Sequence, residues 1–133
     1  MAQKGKVIKA KPDKFTFWVH IPIFNANLYV YVGKDFDKFK DWCLGNTTFP
    51  PCLINDWQRW GDSDATTYGY FGEAVIYANE PMKKSVLVHE LLHVVLQLLR
   101  HRDVEETDDE VRCYLMGYLY EEVVEKLPKE MFK

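Results

Sequence analysis

Two kinds of hydrophobic pattern alternate along the chain, and the switches between them lay out its elements. Phe15 to Ile21 (Phe-Thr-Phe-Trp-Val-His-Ile) and Asn27 to Val32 (Asn-Leu-Tyr-Val-Tyr-Val) are rich in aromatic and β-branched residues. Such residues fit a pleated, half-buried surface, and a short turn containing proline and asparagine separates the two runs, so they predict an antiparallel hairpin. From Asp35 to Leu44 the apolar positions change to helical spacing, with Phe36, Phe39, Trp42 and Cys43 on one side and charges opposite. Gly45-Asn46 predicts the C-cap of this helix. Phe49 to Asp64, with Pro50-Pro51, Trp57 and Trp60, reads as irregular. Thr66 to Tyr70 and Glu73 to Tyr77 return to strand-like composition, joined near Gly72. A long helix is expected from about Pro81 to Arg100, because proline is tolerated in a first turn. An acidic connection then leads to a last helix ending near Lys126, ahead of Pro128. Residues 1–13 read as a flexible basic arm, which leaves 14–133 as one domain. The order hairpin, helix, strands, long helix, final helix predicts an α+β fold, with a small mixed or antiparallel sheet packed on the long helix.

That long helix carries the chemistry. From Val86 to Leu99 it is apolar at almost every position, as a helix buried on most sides would be. The exceptions are His89, Glu90, His93 and Gln97, and they are not scattered. Positions 89, 93 and 97 step by four, with 90 beside them, which makes one narrow polar stripe. His89-Glu90-Leu91-Leu92-His93 is an HExxH motif. Its spacing puts both imidazoles on one face of a helix, a turn apart, where a single tetrahedral Zn²⁺ can take both. Glu90 lies just beside that face, in reach of a water on the ion, and so fits a general base. Imidazoles and a carboxylate held near a core are costly without partners, and a zinc ion with its water would satisfy all three.

Composition narrows the surroundings of this site. At 133 residues, 47% of them hydrophobic and 15% aromatic, the chain is long and apolar enough for a real core. A net charge of −3 gives no electrostatic footprint for nucleic acid. The lysines of the N-terminal stretch (Lys4, Lys6, Lys9, Lys11 and Lys14) read more simply as a solvated tail. Cys43, Cys52 and Cys113 are odd in number and lack CxxC pairing, so neither a disulfide framework nor a thiolate zinc site is indicated. No apolar stretch fits a signal peptide or a membrane span, and the expected compartment is a reducing cytoplasm.

HExxH supplies two protein ligands, whereas catalytic zinc usually has three plus water. His101, eight residues past His93, sits where a histidine also stabilises a helix C-terminus, and does not fit the third place. Residues 103–110 hold six acidic side chains. Gly117 is the one glycine within the final helix, and such a glycine usually marks close approach of another element. With Gly117 facing the long helix, Glu110, Cys113 and Tyr114 share its face, and Asp109 points about a quarter-turn away. On that ground Glu110 is the expected third ligand, with Asp109 and Glu106 as alternatives. Thr107-Asp108-Asp109-Glu110 also reads as a capping box, in which Glu110 would bend back to the Thr107 amide.

Carried by His89, Glu90, His93, their apolar flanks, and Glu110 in Thr-Asp-Asp-Glu-Val-Arg-Cys-Tyr, residues 64–126 resemble the zincin superfamily of HExxH metallopeptidases. The resemblance is best to minimal, single-domain gluzincin-like members, in which a glutamate on the following helix completes the site. Compact size and a leaderless start are also similar to the small zincin-like proteins of phages and mobile elements, which would make the origin viral. The resemblance implies Zn²⁺ as cofactor, a peptide or protein as substrate, and Glu90 as the base that passes a proton to the leaving amine. It implies an edge strand ahead of the active-site helix, which puts Val75, Ile76 and Tyr77 against an extended substrate. A tyrosine could stabilise the oxyanion. Tyr68, Tyr70, Tyr77, Tyr114 and Tyr118 qualify by type, and Tyr114 is named for its shared face with Glu110. The chain departs from larger gluzincins in the short spacing after His93 and in having no second large lobe. The alternative is therefore a zincin-like structural or interaction module, such as a phage assembly component with a protein partner, that can still bind zinc.

Overall fold

The computed structural model describes residues 14–58, 64–102 and 109–133. The expected N-terminal arm, Trp60, Glu106 and the Thr107 cap lie outside them. Strand β1 (Lys14–Ile21) and strand β2 (Ala26–Gly33) form the expected antiparallel hairpin, with Phe17 opposite Val30 and Val19 opposite Leu28. A single 3-10 turn, Pro22–Phe24, joins them, and Asn25 closes it in the left-handed region at φ 46°, which asparagine tolerates better than most residues.

Helix α1 (Phe36–Asn46) starts at Asp35, whose carboxylate accepts from the amides of Asp37 and Lys38 at 2.9 and 3.3 Å. The helix runs through Gly45-Asn46 and is capped instead at Thr47, whose amide and hydroxyl both bond the Cys43 carbonyl. Gly45 is itself a helical residue, so it does not serve as a left-handed cap. A short helix α2 (Pro51–Asp56) replaces part of the stretch expected to be irregular. Pro50-Pro51 starts this helix, because a proline in the first turn has no amide to leave unpaired.

Strand β3 (Ala65–Tyr70) and strand β4 (Glu73–Asn79) are antiparallel neighbours. The sheet order is β1-β2-β4-β3, with β2 and β4 parallel. The sheet is therefore mixed, β2 and β4 are central, and β1 and β3 are the edges. The central strands are buried on both faces and read as near-continuous apolar runs.

Helix α3 (Lys84–His101) and helix α4 (Asp109–Lys126) cover one face of the sheet. Their core joins Phe17, Val19, Leu28, Val30 and Ile76 to Leu87, Leu91, Val95, Leu98, Leu115 and Leu119. The opposite face packs under α1 and α2 as an aromatic cluster of Tyr29, Tyr31, Phe39, Phe49, Trp57 and Tyr77, with Cys43 and Ile54. Sheet alternation sends successive residues of each strand to these two cores. Among the described residues, no helix is long and apolar enough to cross a membrane.

Candidate metal centre

Helix α3 lies along edge strand β3, and the sequence explains how it comes so close. Ala65, Thr67 and Gly69 pair with Ala78, Ile76 and Ala74 of β4, which belong to the α3 side of the sheet. The residues of β3 that face the helix are thus small. Gln97 lies directly over Gly69, and Thr67 bonds Glu90. Strand and helix run side by side in the same direction: Asp64 and Ala65 lie by Ser85 and Val86, Thr67 by Glu90, and Gly69 by Gln97.

Core packing fixes which way each α3 side chain points. Leu87, Leu91, Val94, Val95, Leu98 and Leu99 are fully buried, which turns positions 89 and 93 outward. His89 and His93 are exposed, with their Nε2 atoms 3.2 Å apart. The His89 side chain is 69% accessible, whereas Glu90 is 6% exposed, so the three residues straddle the boundary between core and solvent. The Thr67 hydroxyl donates to Glu90 Oε1 at 2.6 Å, and Glu90 Oε2 lies 3.9 Å from His89 Nε2. The buried carboxylate therefore has a short, charge-assisted hydrogen bond on one oxygen and turns the other toward the histidines.

This cluster is a group of side chains that could hold a metal ion. His89, Glu90 and His93 each offer a ligand atom within 4.8 Å of the others, and no further described residue joins them. Two imidazole nitrogens bound tetrahedrally at about 2.0–2.1 Å from zinc are roughly 3.3 Å apart. The observed separation of 3.2 Å needs almost no rearrangement.

A cleft of about 540 Å³ opens in front of the cluster, lined by Ala65, Thr66, Thr67 and Tyr68 from β3 and by His89, Glu90, His93, Gln97 and Arg100 from α3. It continues past His89 and Glu90 into a second hollow beside Asp64, Ser85 and Val86. Comparison with protein family models, with curated proteins and with solved structures gives no match.

Several expected site residues stand elsewhere. Val75, Ile76 and Tyr77 do not form an edge strand: β4 is hydrogen-bonded on both sides, by β2 and by β3, and all three side chains are fully buried. The edge beside α3 is β3, because the chain places β4 inside the sheet before turning into the helix. Gly117 does not approach α3. It is exposed, with open space where a Cβ would stand. Helix α4 packs instead through Leu115, Leu119 and Val123. Glu110, Cys113 and Tyr114 are likewise exposed, so they share Gly117's face, but that face looks to solvent. The ground for choosing Glu110 as third ligand lapses, and Glu110 is not part of the histidine cluster. Asp109 pairs with Arg112 at 2.5 Å. Tyr114 stacks on Tyr118 and lines neither hollow of the cleft.

Sequence reasoning missed Thr67 and Gly69, and it named Tyr68 only by type, as one of five tyrosines. Tyr68 is the tyrosine that lines the cleft, stacked on Trp57 at 4.2 Å with its hydroxyl donating to the Gln58 carbonyl. The alternation of small residues at 65, 67 and 69 was the available signal, since a strand face of small side chains lets another element approach.

Proposed function

We propose that the chain is a zinc-dependent metallopeptidase. The observation that carries this reading is the pair of Nε2 atoms 3.2 Å apart on the wall of a cleft, with a buried carboxylate beside them. His89 and His93 would hold the ion. When bound, zinc lowers the pKa of water toward 7 and polarises a carbonyl. Glu90 Oε2, turned toward the histidines, takes a proton from the attacking water and passes it to the leaving amine. Edge strand β3 has no strand partner on its outer side among the described residues, so an extended peptide can add to it as a further strand in the cleft.

The second reading is an interaction module that can still bind zinc. It draws on the openness of the site and on exposed Val88 and Leu92 beside the histidines, where a partner could rest. One experiment separates the two. Metal content and cleavage of a panel of peptides and denatured proteins are measured for the parent chain and for Glu90→Gln. The peptidase reading expects stoichiometric zinc in both and a loss of cleavage of about 10²-fold or more in the variant. Bound zinc without any Glu90-dependent cleavage supports the module, and a carefully prepared chain without zinc overturns the peptidase reading.

A further inference from the structure

We infer that Thr67 is the positioning residue for Glu90, an inference that rests on the metallopeptidase reading. A general base beside a metal must present one oxygen in one direction. A glutamate has three side-chain torsions, and nothing in HExxH itself stops its carboxylate from swinging. Here the two oxygens are treated differently. Oε1 accepts from the Thr67 hydroxyl at 2.6 Å, and the same hydroxyl lies 3.4 Å from the Glu90 backbone carbonyl. Oε2 takes no part in that bond and lies 3.9 Å from His89 Nε2. The sheet thus holds one oxygen and leaves the other to face the histidines.

Thr67 suits this task for reasons of backbone and side chain. It stands in the middle of β3, paired with Ile76, which is fully buried in the core. Its position is therefore set by the sheet rather than by a loop. A β-branched side chain is also stiff at χ1, so the hydroxyl keeps its direction. Fixing a reacting group within a few tenths of an ångström is what turns proximity into rate. The anchor comes from a different element than the motif, so the helix and the strand must both be in place before the base is aligned.

The test compares Thr67→Val, which keeps the shape and removes the hydroxyl, with Thr67→Ser, which keeps the hydroxyl. In the zinc-loaded protein, Thr67→Val is expected to lower kcat about 10-fold or more, with KM within about twofold and metal content unchanged. Thr67→Ser should recover most of the loss, and Thr67→Val should cost nothing further in the Glu90→Gln background. A second readout is independent of turnover. In the metal-free protein with ¹³C-labelled glutamate, the Glu90 carboxyl resonance, assigned by its loss in Glu90→Gln, should move in Thr67→Val and return in Thr67→Ser. An unmoved resonance, an unchanged kcat, or a loss that persists in the Glu90→Gln background overturns the inference. A resonance that moves in a protein with no Glu90-dependent cleavage shows the anchor intact and overturns the peptidase reading, and the catalytic role of the anchor with it.

Discussion

Gln97 occupies the space in which a side chain at Gly69 would stand: a Cβ built on Gly69 falls 1.3 Å from Gln97 Nε2 and 2.0 Å from its Oε1. The glycine of the edge strand and the last polar residue of the α3 stripe are thus one packing unit. Glycine in a strand is a cost to stability, and here it admits the helix.

Gly69→Ala tests that unit. The clashing atoms are the far end of a flexible side chain, so Gln97 should swing aside rather than the backbone move. The expected stability change is within about 1.5 kcal/mol, because lost packing is offset by the entropy that alanine removes from the unfolded chain. The signature is coupling. Gly69→Ala should be more favourable in a Gln97→Ala background than in the parent chain, read from urea midpoints in a double-mutant cycle.

The histidine pair predicts a shared dependence on zinc. His89→Ala and His93→Ala should each weaken zinc binding by about 100-fold or more, as expected when one of a few nitrogen ligands is removed. Zinc at a concentration that saturates the parent chain should raise its melting temperature by mass action on the folded state and should raise that of either variant much less. Isothermal titration with zinc and thermal melts with and without a chelator check both outcomes. Equal melting temperatures with and without zinc in the parent chain would remove the metal from this site.

Helix α4 gives an outcome opposite to the one its sequence suggested. With Glu110 exposed on the solvent side beside Gly117, Glu110→Gln should bind zinc as the parent chain does. Tyr114→Phe should leave kcat unchanged, since its ring stacks on Tyr118 away from the cleft. A tenfold loss of zinc affinity in Glu110→Gln would show that α4 turns its outer face to the site when metal is bound.

Alkaline pH should destabilise the fold through Cys43. The thiol is enclosed by the aromatic core, and burial pushes its proton affinity well above the ordinary value of 9.0. Tyr29 is shifted in the same direction, by burial first and then by the Glu73 carboxylate, to which its hydroxyl donates at 3.2 Å. The sign follows from linkage. Below pH 9 both states keep the Cys43 proton and its contribution is fully present. Above pH 9 the unfolded chain ionises while the folded one does not, so stability falls, by up to about 1.4 kcal/mol per pH unit for one such group. Urea midpoints at pH 7.5 and 10 should therefore fall more for the parent chain than for Cys43→Ala. At neutral pH a thiol reagent should label exposed Cys52 and Cys113 quickly and Cys43 only on unfolding.

What the sequence determined by itself was whatever depends on residues near one another in the chain. The hairpin of β1 and β2, the strands β3 and β4, and helix α3 follow from local periodicity, and the motif's stripe follows from helical spacing alone. The side-by-side imidazoles were legible because a helix places residues four apart on one face whatever surrounds it. Only the tertiary structure decided which strand is the edge. Glu73 to Asn79 and Ala65 to Tyr70 have similar strand character, and their order depends on β4 pairing with β2, more than forty residues earlier, in parallel. It also decided which face of α4 is inside. Gly117 suggested close approach, but Leu115, Leu119 and Val123 offered more apolar surface to bury, and burial of that surface turned Glu110 and Tyr114 outward. The bond from Thr67 to Glu90 joins residues 23 positions apart on two different elements. No local pattern encodes such a pair, because it exists only once the helix has been laid against the sheet.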